Sequence, residues 1–499
     1  SRKRVREHRY TLLFAMAEAA APQSTFKVLW SRSLEKLKER DLLDLAAKPG
    51  EAKSPSSPSS RWPSVRSVLT SLRSVESGGE KEVASPNSAA TFGMAEAGAL
   101  VYRVVAWKKC LARNLKVAEE DEALAAERQQ RDALAFLTRD WIAAALAAHC
   151  PPGQNVLIDD FATESVGEGL GFLSKAFRIT LTYKNEASAA DLPKSLILKI
   201  GGTHEECFQV VADETDAYRR EHSFYSEIVP ILKEKKAKMR VPLVYTTTLV
   251  EGGARILMED LGEIGFSVNQ CDGLTKDQVA PLVAMAADMH AAFWPGCEGA
   301  AVIPNNVVKG EDRRSFIRRW NDGFSRQSRY EEFVASKGLK VYDIGVSEEV
   351  VLEIGAKVKA NAAKILHHLT VVAPQTLIHA DYRADNMILL HSGSCAVLDW
   401  QLHCTGPGAY DLTDIMVKSM KAADGVSCSE ELLRHYHACL VAAGVKDYSW
   451  EQLNTDFRFS CLQQIMLVFD IGLDGIGADG QLIDDWLAFD LLRCMFKRL

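Results

Sequence analysis

The sequence predicts an α+β protein of two lobes, a β-rich one followed by a mainly helical one, behind an N-terminal extension with no core. Three observations carry this reading. Short runs of apolar, β-branched and aromatic residues bounded by turn residues crowd the stretch from 156 to 259. Beyond Asp260, capping signals and helical periodicity take over. Strands and helices segregated in this way, rather than alternating, argue against a doubly wound sheet. A chain of 499 residues has room for two or three such units.

Residues 1–93 read as a disordered or targeting-like extension. They carry 16 Lys/Arg against 10 Asp/Glu, or +6, so with a total of −7 the remainder sums to −13. The basic opening (Arg2, Lys3, Arg4, Arg6, Arg9) before Thr11–Ala17 loosely imitates a transit peptide, but Glu18 spoils the end of the apolar run. From Pro49 to Gly93 the chain is rich in Ser and Pro, a composition that buries too little apolar surface to fold. Met94 opens a more ordinary sequence. Residues 94–132, dense in charge from Glu119 to Arg131, read as a helical lead-in.

The β-rich lobe is assigned to 133–261 and the helical lobe to 262–499. A helix over Thr138–His149 stops at Pro151-Pro152-Gly153, and strands are predicted at Val156–Asp159, Phe177–Tyr183 and Leu196–Ile200. A helix spans Asp213–Ile228, and further strands lie near Leu243–Val250 and Arg255–Glu259. Thr275-x-x-Gln278 is a capping box that opens a helix to about Phe293, and Ser347, Ser427 and Ser449 mark later helix starts.

Composition excludes several classes. With 47% hydrophobic and 25% charged residues, the chain is ordinary globular protein, and its net negative charge speaks against nucleic acid as a partner. No stretch of 18 apolar residues exists, since the best run, from Gln464 to Leu473, contains Asp470, so no transmembrane segment is expected. Eleven scattered cysteines without a C-x-x-C pair point to reduced thiols, hence to a cytoplasmic location, with organelle targeting as the alternative.

The chemistry concentrates at Leu377–Leu398. His379-Ala380-Asp381 and Asn386 form H-x-D-x-x-x-x-N, followed by the strand Met387–Leu390, a His-Ser-Gly-Ser turn, the strand Cys395–Leu398 and then Asp399-Trp400. A loop, strand, turn and strand return Asp399 beside Asn386, so two oxygen ligands and one further carboxylate converge. Mg²⁺ favours such a set, because this hard ion takes few protein oxygens and completes its shell with water and phosphate.

This arrangement resembles the phosphotransfer loop of the protein-kinase-like fold, in particular the aminoglycoside phosphotransferase superfamily, and most closely the ecdysteroid-kinase-like (CHK kinase-like) family. Gly167-x-Gly169-x-Gly171 resembles the glycine loop that covers phosphates. Lys199, ending Leu196-Ile197-Leu198, resembles the nucleotide lysine, and Glu221 in Glu221-x-x-Phe224-Tyr225 the glutamate that orients it. Glu259-Asp260-Leu261 resembles the hinge, and Met289-His290-Ala291-x-x-Trp294 a helical-lobe signature. Gly408-Ala409-Tyr410-Asp411-Leu412 follows the second metal aspartate as in these kinases. The likeness covers about 135–470.

The resemblance implies a bilobal kinase-like fold and an ATP- and Mg²⁺-dependent transfer of the γ-phosphoryl group to a small-molecule alcohol. Asp381 and His379 are the catalytic candidates, and Asn386 and Asp399 the metal ligands. The glycines, Lys199, Glu221 and the Glu259–Leu261 backbone would hold the nucleotide. His290 is expected to be a hydrogen-bonded core histidine and Asp411 a backbone brace. Position 380 is Ala where the superfamily commonly has Gly. The chain has Trp400-Gln401 in place of Phe-Gly, no Arg at 380 and no Ala-Pro-Glu after Asp399, all of which disfavour a protein kinase. A catalytically silent nucleotide-binding scaffold would be expected to lack the lysine, the base or the metal residues, and all are present.

Overall fold

The computed structural model describes residues 132–474, apart from 168–172, 186–189, 203–205, 271, 327–328 and 337–347. The expectations for residues 1–131, for Gly169 and Gly171, and for a helix start at Ser347 fall outside the described residues. The described chain is mixed α+β, with a five-stranded sheet preceding a helical region, as the sequence predicts.

Thr138, whose hydroxyl accepts from the Trp141 amide at 3.1 Å, caps α1 (Arg139–Ala147). The sheet follows with β1 (Ile158–Val166), β2 (Ser174–Tyr183) and β3 (Ser195–Gly201). Next come α2 (Glu206–Thr215) and α3 (Ala217–Ser223), which continues through a π-helical turn (Phe224–Ile228) into α4 (Val229–Glu234). The single helix expected over Asp213–Ile228 is thus broken. Asp216 takes φ 57°, a left-handed conformation that an α-helix cannot continue through.

Strands β4 (Val244–Val250) and β5 (Gly253–Glu259) complete an antiparallel sheet of order β1-β2-β3-β5-β4. Its two faces separate by strand alternation. Phe177, Ile179 and Leu181 of β2 and Leu196, Leu198 and Ile200 of β3 are buried in one cluster with Ile142 and Leu146 of α1. The opposite face carries Ala176, Arg178, Ile197 and Lys199, with Ala176 and Ile256 flanking Lys199 in register.

After β6 (Gly265–Ser267), Thr275 and Gln278 form the expected capping box of α5 (Lys276–Ala292). The helical region goes on through α6 (Phe316–Arg326), α7 (Arg329–Ala335), α8 (Glu348–Ala360) and α9 (Ala362–His367). Four short strands then interrupt it: β7 (Thr376–Ile378), β8 (Met387–Leu390), β9 (Cys395–Val397) and β10 (Cys404–Gly406). Three helices close it: α10 (Gly408–Ser419), α11 (Ala422–Ala442) and α12 (Trp450–Asp474). Ser449 caps α12 as expected, its hydroxyl accepting from the Gln452 amide. Ser427 does not start a helix, because α11 already begins at Ala422.

One apolar core runs between the sheet and the helices. It joins Phe224, Ile228, Ile256 and Met258 to Val283, Met289, Leu377, Trp400 and Leu412. Phe324, by contrast, is fully buried in a second helical cluster with Tyr330 and Phe469. Among the described residues no helix is long and apolar enough to cross a membrane.

The Thr275 cap is a local test of this framework. Thr275→Ala should cost about 1 kcal/mol of stability by losing one N-terminal hydrogen bond. Chemical denaturation checks this, and an unchanged midpoint would mean that α5 does not depend on its capping box.

Candidate active site

Three structural devices bring the motif residues together. The first is the β8–β9 hairpin. Met387 pairs with Val397, and the Leu398 amide donates to the Asn386 carbonyl at 2.8 Å, so the chain leaving β9 lies against Asn386 and delivers Asp399 beside it. Gly393 at φ 84° makes the turn between them.

The second device is α10, which is buried over its whole length. Its polar residues recur at helical spacing and meet the loop 379–384 from one side. Asp411 accepts from the amides of His379 (2.8 Å) and Ala380 (2.9 Å), Asp414 from that of Tyr382 (3.1 Å), and Ser419 from that of Ala384 (2.8 Å). His290 in turn meets Asp411 at 3.2 Å and Tyr436 at 2.8 Å, a core histidine as expected.

The third device is α3. Tyr218 donates to the Leu173 carbonyl at the end of the glycine stretch (2.6 Å), and Phe224 stacks on Trp400 with centroids 3.8 Å apart. Between them Glu221 projects toward Lys199. Its carboxylate lies 2.8 Å from the Lys199 ammonium, which also contacts Asp399 at 2.5 Å. Lys199 therefore joins the sheet to the loop after β9.

The electrostatics follow from this crowding. Burial works to lower the Lys199 ammonium, yet Asp399 and then Glu221 hold it above its ordinary range, so the lysine stays charged. Burial pushes the Glu221 carboxyl up to about 7, with Lys199 pulling the other way. Glu221 is 2% exposed, whereas the Asp399 side chain is 26% exposed.

Asp381 has a different environment. Burial works to raise its carboxyl, but Arg383, Lys418 and His379 hold it well below the usual carboxylate range. Arg383 reaches it at 3.1 Å and Lys418 at 3.4 Å. The Asn386 amide nitrogen donates to Asp381 Oδ2 at 2.9 Å, and among the described residues its Oδ1 accepts no hydrogen bond. That oxygen and the Asp399 carboxylate suit a hard cation that keeps water and phosphate in its shell. Among the described residues no group of three or more His, Cys, Asp or Glu has metal-binding geometry, so a closed protein cage of that kind is not offered.

His379 is fully buried. Its Nδ1 accepts from the Asp381 amide (3.2 Å), and its Nε2 donates to the Leu398 carbonyl (2.8 Å). Both ring nitrogens are thus engaged by backbone groups of the loop and of the chain leaving β9. Gly167 takes φ 67°. At the hinge, the Glu259 side chain pairs with Arg240 (2.8 Å) and its amide with the Leu243 carbonyl (2.8 Å). The Leu261 carbonyl accepts from Ile264, which leaves the Leu261 amide without a partner among the described residues.

Several neighbours were not singled out from sequence. Arg178 shares the Lys199 face of the sheet and binds Asp260 of the hinge at 2.6 Å and Glu164 at 2.7 Å. Arg383, Asp414 and Lys418 surround Asp381, and the polar period 411-414-418 within an apolar helix was the signal that could have exposed two of them. Arg383 lies inside the motif itself.

A β-sheet lobe, a helical region and a buried lysine–carboxylate pair beside an H-x-D-x-x-x-x-N loop make up a kinase-like fold. Residues 168–446 match the model of the ecdysteroid kinase-like family, and the chain belongs to that family. No curated protein matches it. Among solved structures it is similar to an ethanolamine kinase of Plasmodium vivax, at 12% identity and TM-score 0.39 over 68% of this chain and 82% of that one. It is also similar to a spectinomycin phosphotransferase in complex with ADP and spectinomycin, at 11% identity and TM-score 0.38, covering 66% and 87%. A choline kinase of Streptococcus pneumoniae matches at 14% identity and TM-score 0.32, covering 67% and 89%. Scores this low carry no argument about the site.

The site stores backbone strain at two non-glycine positions, Ala380 (φ 63°) and Asp399 (φ 62°). Replacing Gly by Ala at 380 is therefore not neutral. Ala380→Gly relieves about 1–2 kcal/mol of left-handed strain and gives up about 0.5–1 kcal/mol of backbone entropy. Stability should rise by up to about 1.5 kcal/mol on that balance. A thermal unfolding curve checks it, and a less stable Ala380→Gly variant would contradict it.

Proposed function

We propose that this chain is an ATP-dependent small-molecule kinase that transfers the γ-phosphoryl group to the hydroxyl of an alcohol. The observation that supports it most is the convergence on one site of a charged buried lysine, a metal-type Asn–Asp pair and an ionised aspartate in the loop of the phosphotransferases. Phosphoryl transfer asks little covalent work of a protein. It needs in-line positioning and neutralisation of charge spreading over phosphate oxygens.

Lys199 would contact the α/β phosphates, with Glu221 holding its ammonium in place. Asn386 and Asp399 would hold Mg²⁺, which when bound neutralises phosphate charge. Gly167, Gly169 and Gly171 would let the backbone approach the phosphates, and the Leu261 amide, in the Glu259–Leu261 hinge, would donate to adenine.

Asp381 would accept the hydrogen bond of the acceptor hydroxyl and aim its oxygen at phosphorus. Arg383 and Lys418 keep it ionised, so it would orient the hydroxyl and accept its proton as the new O–P bond forms and the bond to the departing ADP breaks. His379 would act through the loop as a positioning residue. A cytoplasmic location belongs to the same reading, supported by the unpaired thiols of Cys150, Cys297, Cys395 and Cys404.

Two substitutions separate the roles. Asp381→Asn should lower turnover by at least about 10²-fold while leaving ATP·Mg²⁺ affinity close to that of the parent. Asp399→Asn should instead weaken metal-dependent ATP binding, because it removes charge from the ion's shell. Calorimetry with ATP and Mg²⁺, together with phosphoryl transfer measured on a panel of alcohols including steroids, choline and aminosugars, decides it. An Asp381→Asn protein with full turnover, or a parent protein that binds no ATP, would overturn the proposal.

A further inference from the structure

Arg220 precedes Glu221 on α3 and is 3% exposed, yet among the described residues no carboxylate touches it. A buried guanidinium without a counter-charge is expensive unless its donors are all satisfied. Here backbone carbonyls do this. Nη2 donates to His403 at 2.5 Å and to Leu402, Nε to His403 at 3.1 Å, and Nη1 to Thr215 and Arg314, each at 3.1 Å. Burial lowers it to about 10, so it remains charged at neutral pH.

The places these carbonyls occupy matter. Leu402 and His403 end the 3₁₀ turn Trp400–Leu402 that follows the strained Asp399. Thr215 precedes the left-handed Asp216 where α2 stops, and Arg314 precedes α6. Phe224, one turn along from Arg220, stacks flat on Trp400 of the same 3₁₀ turn, with planes 5° apart. The helix that carries Glu221 is thus fastened to the segment that carries Asp399 by one charged side chain and one aromatic pair.

We propose that Arg220 is a positioning residue that clamps α3 to the turn after Asp399, holding Glu221 and Asp399 on Lys199 before any ligand arrives. Carbonyl groups are fixed acceptors at any pH, so the clamp needs no titration and no modification to close. It makes the lysine site a preformed one, in which α3 does not swing. Lysine at position 220 would keep the charge but could not span carbonyls from three segments, because its ammonium is a single point on a flexible stem.

The test uses the full chain, with Arg220→Lys as the main variant and Arg220→Ala as the second. Leu453→Ala, at a fully buried position of α12 outside α3 and the 399–403 turn, serves as a control for general destabilisation. Amide hydrogen exchange is followed without nucleotide, and ATP·Mg²⁺ affinity is measured by calorimetry. In Arg220→Lys, peptides covering 217–228 and 399–403 should exchange about 10–100-fold faster, as expected when a hydrogen bond from a charged donor is lost. Peptides from α11 should not change. Leu453→Ala should accelerate exchange without that local pattern. Unchanged exchange at 217–228 and 399–403, or equal acceleration everywhere, would overturn the clamp. The proposal rests on the kinase reading only for the consequence at the nucleotide, where affinity should fall about tenfold with the local opening. Local opening in a protein that binds no ATP would overturn that reading and leave the clamp standing.

Discussion

A protonated amine with little access to water must find counter-charge inside the protein, and Lys199 finds it on both sides of the site. Glu221 comes from the helix packed against the sheet, and Asp399 from the turn beyond the β8–β9 hairpin. Two carboxylates around one ammonium leave an excess negative charge in a poorly solvated place. Burial accordingly raises Glu221, while Lys199 stays protonated. Such a cluster is suited to a ligand that brings both positive metal and anionic phosphate. An interaction that links the two parts of the fold is therefore also the one that a nucleotide would engage.

Everything around this ion pair serves to fix geometry. Helix α3 and the π-helical turn after it use one residue after another: Tyr218 on the end of the glycine stretch, Arg220 on the turn after Asp399, Glu221 on Lys199 and Phe224 on Trp400. Helix α10 does the same for the loop of Asp381, satisfying four backbone amides with three side chains set at helical spacing. Because amides buried without partners are costly, α10 also explains how a left-handed Ala380 is tolerated. Asp414 is itself pushed up to about 6 by burial and leans on Lys418. The second cation beside Asp381 is thereby held by a second carboxylate.

Much of this was legible in the sequence, and for identifiable reasons. The two-lobe order follows from segregated periodicities. The return of Asp399 to Asn386 follows from two short strands separated by a glycine turn, a local matter of chain geometry. Lys199 and Glu221 stood out by resemblance, being separated in sequence by a whole helix and a break. Contacts made between distant segments through backbone carbonyls left no trace, and Arg220 is the clearest case, since its acceptors belong to residues whose side chains are irrelevant to the bond. The break at Asp216 was missed because aspartate reads as an ordinary helix residue until its φ is known. The start of α11 was misplaced because Ser427 looks like a cap wherever it sits. The sequence names His379 as a catalytic candidate, and its two hydrogen bonds to backbone groups could be seen only in the structure.

The claim at the centre is that Lys199 and Glu221 act on a nucleotide as one unit. A double-mutant cycle measures it directly: Lys199→Ala, Glu221→Ala and the pair, each titrated with ATP·Mg²⁺ by calorimetry. If the carboxylate works by holding the ammonium, removing Glu221 should weaken binding substantially in the parent and hardly at all once Lys199 is gone. The coupling should then amount to about 1 kcal/mol or more. Losses that simply add would mean that the two residues act independently, and the account of the site would be wrong.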